Sequence, residues 1–179
     1  MTAATYGDSL FDVAVELDKV DALFEEAKAV ADVFETNKEF TDFLNHPKID
    51  KDTKIKVTEQ SLENFVSKEM VGFLVTIITK GRVNDIPDIF RYFIGKVKEY
   101  KKIGIAYVTT PMELNEAMKA KVEKKLLDTT EYVSFEMHYS VDASLIGGMV
   151  IRIGNRIVDS SIKTRLAELS RELYKVDIV

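Results

Sequence analysis

The sequence predicts an α+β protein, a helical bundle followed by a small unit in which helices pack on one side of a mixed sheet. Three observations carry this reading. Apolar residues recur at helical spacing, with sparse glycine, as far as about Lys102. The pattern changes at Lys101-Lys102-Ile103-Gly104, after which period-two alternation appears. Residues 145–161, LIGGMVIRIGNRIVDSS, then compress a strand, a turn, a second strand, a cap and the start of a helix into very few positions. The boundary is placed between a first domain at residues 1–104 and a second at 105–179. A chain of 179 residues, 46% apolar and 31% charged, has the composition of a globular protein and the length for two cores.

Taken in order, Tyr6, Leu10, Val13 and Leu17 form a single helical stripe, and Val20, Leu23, Phe24, Ala27, Val30, Ala31 and Phe34 a wider one. Thr36-Asn37 marks a break and cap before a short helix with Phe40, Phe43 and Leu44, which Asn45-His46-Pro47 ends because proline drives its predecessor out of the helical region. Asp50 or Asp52 caps a helix carrying Ile55, Val57 and Leu62. Residues 70–78 leave no polar face, interrupted only by Gly72 and Thr76, so this helix needs cover all round. It is either central, or has core on one side and a partner on the other. Lys80-Gly81 terminates it. Ile86, Ile89, Phe90, Phe93, Ile94, Val97 and Tyr100 give a last stripe, with Pro87 in its first turn.

In the second half, Ile105, Tyr107 and Thr109 alternate with Ala106, Val108 and Thr110 as a strand. Asn115 caps a helix with Met118, Val122 and Leu126 on one face. Val133, Phe135, Met137, Tyr139 and Val141 face one way along a half-exposed strand. Gly147-Gly148 suggests a sharp bend or a close backbone approach, Gly154-Asn155 a two-residue hairpin turn, and Asp159-Ser160-Ser161 a cap for a helix bearing Ile162, Leu166, Leu169 and Leu173.

Little here is suited to chemistry. Cysteine is absent, and His46 and His138 fall in different halves, which argues against a metal site. Gly147-Gly148 precedes a strand rather than a helix, unlike a phosphate-cradling loop. Ser160 and Ser161 lack a nucleophile-elbow setting. The longest apolar run, residues 70–79, is far shorter than the ~20 residues that span a bilayer. The N-terminal MTAATYGDSLFD reads as neither a secretory signal nor a transit peptide, so a cytoplasmic location is expected. Residues 1–45 carry eleven acidic side chains against Lys19, Lys28 and Lys38, a net −8, and the remainder is net +3. An acidic first half disfavours nucleic acid and favours a basic partner segment. On the residues alone the reading is an interaction or structural protein.

The same residues carry a family resemblance. Leu145-Ile146-Gly147-Gly148, the strand at 150–154, then Val158-Asp159, Ser161 and Leu166 stand in one order and spacing. Phe73-Leu74 with Gly81-Arg82, and Ile86-Pro87 with Ile89, follow the same pattern, with weaker support from Phe43-Leu44, Pro47, Tyr6, Leu10-Phe11 and Ala14. Over its full length the chain resembles the delta subunit of bacterial F-type ATP synthases, the oligomycin-sensitivity-conferring protein family. Gly7, Asn155 and Ser160 depart from the family pattern.

The resemblance implies a six-helix N-terminal domain and a small C-terminal α+β domain. It implies a non-catalytic stator subunit without a cofactor or metal, peripheral on the cytoplasmic face of the cell membrane through its complex and not itself inserted. The implied partners are the N-terminal helix of an alpha subunit for the first domain, the C-terminal region of the b subunits for the second, and other ATP synthase subunits. The candidate groove residues are Tyr6, Leu10, Val13, Met70, Phe73 and Ile77. Gly147, Gly148, Gly154, Asp159 and Ser161 form the structural motif. An unrelated helical adaptor or scaffold is the alternative.

Overall fold

A computed structural model describes residues 2–63 and 65–176, with side chains of the last helix described through Arg171. Leu173 of the predicted stripe lies outside those described side chains. The chain divides into two compact units, Met1–Lys98 and Glu99–Val179.

The first unit is helical: α1 (Thr2–Glu16), α2 (Val20–Thr36), α3 (Lys38–Asn45), α4 (Lys51–Leu62), α5 (Lys68–Thr79), a 3-10 turn at Val83–Asp85 and α6 (Ile86–Tyr100). The starts follow local chemistry. Asn37 accepts from the Phe40 N–H and caps α3, and Asp50, rather than Asp52, accepts from Thr53 and caps α4. Ser67 caps α5 through the Met70 N–H, a cap the apolar pattern does not reveal. Among the core residues, Ile86, Ile89, Phe90, Phe93 and Val97 of α6 are all fully buried, so α6 turns one face into the core while Asp88, Arg91, Tyr92 and Gly95 stay exposed on the other. By contrast, α5 buries Met70, Leu74, Ile77 and Ile78 while Val71, Phe73 and Val75 are half-buried and Gly72 and Thr76 exposed. Of the two arrangements open to an all-apolar helix, this is core on one side only.

The second unit runs β1 (Ile103–Thr110), α7 (Glu116–Thr129), β2 (Ser134–Val141), a 3-10 turn at Ala143–Leu145, β3 (Val150–Ile153), β4 (Arg156–Asp159) and α8 (Ile162–Val176). The sheet order is β2-β1-β3-β4. β1 and β2 are parallel from Ile103↔Ser134 to Thr110↔Val141, while β3 is antiparallel to both β1 and β4. The predicted order of strands and helices and the mixed sheet are both present. β1 begins two residues earlier than the alternation suggests, because Lys102 at φ 54° ends the preceding turn and its carbonyl already accepts from Val133.

The core of this unit is small. Ala106, Leu126 and Phe135 form its buried cluster, supported by Val122, Leu127, Met137, Ile151 and Ile153, with Val108 and Leu145 buried as well. Along β2 only Phe135 is buried and Met137 half-buried, while Val133, Tyr139 and Val141 are exposed. The alternation is real, but the unit covers only part of the strand's apolar face.

Candidate partner-binding surfaces

Two apolar surfaces, one on each unit, are built from residues whose neighbours hold them firmly.

On the first unit, α1 and α5 lie antiparallel and are tied at both ends. Lys19, just past α1, pairs with Glu69 at 2.8 Å, and Arg82, just past α5, donates to the Thr2 hydroxyl at 3.1 Å. The Lys19 hydrogen bond keeps the Glu69 carboxyl below its ordinary range. The opposite flank of α1 is clamped to α6. Lys96 and Tyr92 both donate to Asp8, the latter at 3.1 Å, and the Lys96 ammonium lies 4.9 Å from the Phe11 ring. Lys96 foremost holds the Asp8 carboxyl below its usual range, and Asp8 in turn raises Lys96. The Tyr92 ring rests on Gly7, where a built Cβ would stand 2.5 Å from the ring. Gly7, one of the departures from the family pattern, is therefore what lets Tyr92 close on α1.

With Gly7, Leu10 and Ala14 inward and Asp8 and Phe11 toward α6, helical geometry leaves Tyr6, Val13 and Leu17 on the flank that also carries Thr2, facing α5. Val13 is 39% and Leu17 44% exposed, and Tyr6 is half-buried. On α5, Phe73 is half-buried, with its ring 6.1 Å from Phe90. Of the six candidate groove residues, Leu10, Met70 and Ile77 lie in the bundle core, so the accessible surface belongs to Tyr6, Val13 and Phe73, joined by Leu17. The far flank of α5 is open too. Val66, Val71, Gly72 and Val75 line a groove of about 440 Å3 beside α4, with Glu59, Glu63 and Lys68 also lining it.

On the second unit, four of the five motif residues, Gly147, Gly148, Asp159 and Ser161, lie along a seam rather than a reactive centre, and Gly154 makes the hairpin turn. Gly148 has φ 77°, and a Cβ there would collide with the Ser160 carbonyl. The seam is closed by Ser160 N–H and Oγ–H donating to the Met149 carbonyl at 3.0 and 2.9 Å, and by Ile162 N–H donating to the Gly147 carbonyl at 3.0 Å. A Cβ on Gly147 would stand 2.5 Å from Ile162 Cδ1. Gly154 takes φ 54° and Asn155 does not take a positive φ, which suits glycine at the first central position of a type II′ hairpin.

Ser161 is fully buried and caps α8 by accepting from Thr164 N–H at 3.2 Å. Asp159 accepts from the Thr164 hydroxyl at 2.7 Å and from Ser161 N–H at 2.8 Å, which together hold its carboxyl below the ordinary range. Beyond this seam α8 exposes its stripe: Ile162, Leu166 (52%) and Leu169 (56%) are all open. Sequence pattern locates this stripe, and its exposure marks it as a surface.

Among the described residues no group of three or more His, Cys, Asp or Glu could hold a metal ion, and no helix is long and apolar enough to cross a membrane. The chain matches the family model for the ATP synthase delta (OSCP) subunit over residues 2–173. It is 50% identical over 178 residues to the ATP synthase subunit delta of Lachnoclostridium phytofermentans, covering 99% of this chain and 98% of that one. With the ATP synthase subunit delta of Caldanaerobacter subterraneus it shares 35% identity over 176 residues, 96% and 95% of the two chains. Its fold matches a chain in the cryo-EM structure of the Toxoplasma gondii mitochondrial ATP synthase hexamer, with a TM-score of 0.70 at 16% identity over 97% of this chain and 98% of that one.

Proposed function

The chain belongs to the ATP synthase delta (OSCP) subunit family and is a non-catalytic stator subunit of the F-type ATP synthase, and we propose that its two units grip the two parts the stator must join. The first unit receives the N-terminal helix of an alpha subunit along the α1/α5 flank. The second receives the C-terminal region of the b subunits. The link holds the alpha/beta head against the torque of the central shaft, so that proton-driven rotation yields ATP. The protein works on the cytoplasmic face of the bacterial cell membrane, held there through its complex.

The observation that carries the first contact is the apolar row of half-buried Tyr6 and exposed Val13 and Leu17 on a helix tied at both ends to α5. A helix-in-groove contact needs apolar anchors at helical spacing on walls that do not move, and a rigid wall lowers the ordering cost of binding. The net −8 of residues 1–45 favours an incoming helix that carries basic side chains. The adaptor alternative loses its ground to a near-full-length relative at 50% identity.

Titration of a peptide spanning the N-terminal helix of the alpha subunit into the full chain tests this. Binding heat and shifts of the Val13 and Phe73 methyl and ring signals are expected. No heat and no shifts at micromolar concentrations would remove the proposed contact.

A further inference from the structure

The flank of α5 that faces α1 leaves the other apolar flank of the same helix unused. On that side α4 and α5 lie antiparallel and are fastened at both ends. The Lys51 ammonium donates to the Thr79 carbonyl at 3.0 Å, and where α4 ends the Phe65 and Val66 N–H groups both donate to the Leu62 carbonyl. Between the two helices runs the groove of about 440 Å3. Its α5 wall is half-buried Val71 and Val75 with exposed Gly72, and its α4 wall carries Glu59 and Glu63. Both walls repeat once per helical turn, the spacing at which one helix reads another. Phe65, beside the lining Val66 in the chain, is 81% exposed, the most open large apolar side chain among the described residues.

Gly72 is the position that points to an occupant. Glycine weakens a helix relative to alanine, and a Cβ here would meet no atom within 4 Å. Nothing inside the unit asks for glycine at this place, in contrast to Gly7, where the missing Cβ admits the Tyr92 ring. What the missing side chain does is lower the floor of the groove, so that a backbone from outside can come close.

The charge of the groove is sided. Glu59 and Glu63 have no ion pair among the described residues, and Lys56, three residues before Glu59, lies outside the lining. The one cation of the lining, Lys68, stands on the opposite wall in the first turn of α5. An incoming helix therefore meets two carboxylates along one border and one ammonium on the other.

We propose that the α4/α5 groove is a third docking site, for an amphipathic helix whose row of small and apolar residues lies on Val71, Gly72 and Val75. The helix sets two basic side chains one turn apart against Glu59 and Glu63, and an acidic one against Lys68. The site depends on neither the alpha contact nor the stalk contact.

The test titrates the full chain with a designed helical peptide of this pattern: alanine and leucine along one row, arginines one turn apart on one border, a glutamate on the other. Its charge-reversed counterpart is titrated in parallel. The first peptide should shift the Val71 and Val75 methyl signals and leave those of Val13 in place. The counterpart should bind at least tenfold more weakly at low salt, the gap narrowing as salt rises. Gly72→Leu puts a good helix former into open space, so its unfolding midpoint should equal or exceed the parent's while its affinity falls at least tenfold. Glu59→Lys with Glu63→Lys should invert the preference between the two peptides. The alpha peptide should bind the parent and all these variants alike. If neither designed peptide moves Val71 and Val75 at millimolar concentration, or if Gly72→Leu binds within twofold of the parent, the groove is not a docking site. If the alpha peptide itself shifts Val71 and Val75 and displaces the designed one, the groove belongs to the alpha contact and the third site is overturned. If the chain alone self-associates in sedimentation and Gly72→Leu abolishes it, the occupant is a second copy and the proposed partner falls.

Discussion

Placing alanine at Gly148 sets two penalties on one position, and a second glycine separates them. At φ 77° an L-residue loses roughly 1–2 kcal/mol relative to glycine. The new Cβ would also overlap the Ser160 carbonyl and come within 3.0 Å of Ser161 Cα. These are backbone atoms whose neighbours are already bonded to Met149 and Gly147, so relief requires opening the seam, at about 1–3 kcal/mol for overpacking. The sum is about 2–5 kcal/mol. A unit of roughly 80 residues has about 4–12 kcal/mol of stability in all. Gly154→Ala at φ 54°, with no atom within 4 Å of its Cβ, carries the first penalty alone, about 1–2 kcal/mol. Urea unfolding of the full chain, followed by amide signals of β3 and β4 with α1–α6 signals as an internal reference, measures both. Gly148→Ala should be the more destabilising by about 1–3 kcal/mol, confined to the second unit. Equal effects would mean that the contact with Ser160 is not what glycine at 148 accommodates.

Gly7→Ala and Gly72→Ala should have opposite signs although both glycines are helical. At Gly72 nothing lies within 4 Å of a Cβ, so alanine should stabilise by about 0.5–1 kcal/mol, whereas at Gly7 the displaced Tyr92 ring should outweigh that gain and lower the thermal midpoint. Acid should loosen both units. Asp8 and Asp159 have folded pKa values below their unfolded ones, so their stabilisation is complete above the ordinary carboxylate range of about 4 and is lost as pH falls through the lower folded values. Asp8→Asn should flatten that acid limb for the first unit in pH-dependent urea unfolding, and Asp159→Asn for the second.

The fold was legible because its signals are local. Helical stripes, the break at Lys101-Lys102, the caps at Asn37, Asp50, Asn115 and Ser161, and the Gly154 turn each depend on residues a few positions apart. The surfaces were less so. Leu10 and Val13 sit one turn apart in the same stripe, and long-range packing, including the clamp of Asp8, Tyr92 and Lys96, decides that one is core and the other exposed. That clamp spans more than eighty positions, and no periodicity encodes it. The periodicity of α8 likewise locates a stripe without saying whether the sheet's small cluster covers it. Ile146 gives no sign in the sequence, since isoleucine is among the residues least expected at positive φ.

Residues 145–148 then place opposite demands on positions two residues apart. Gly148 is where the backbone must be unhindered for the seam to close, so a side chain there can only destabilise. Ile146 is where a side chain is present despite the backbone's preference, so removing it should relax the turn. A motif kept only for folding would favour glycine or asparagine at both positive-φ sites. Isoleucine at the first of them is explained if the exposed side chain makes a contact outside the chain. The pair of substitutions therefore separates the two demands: alanine at 148 lowers stability, whereas glycine at 146 preserves or raises it.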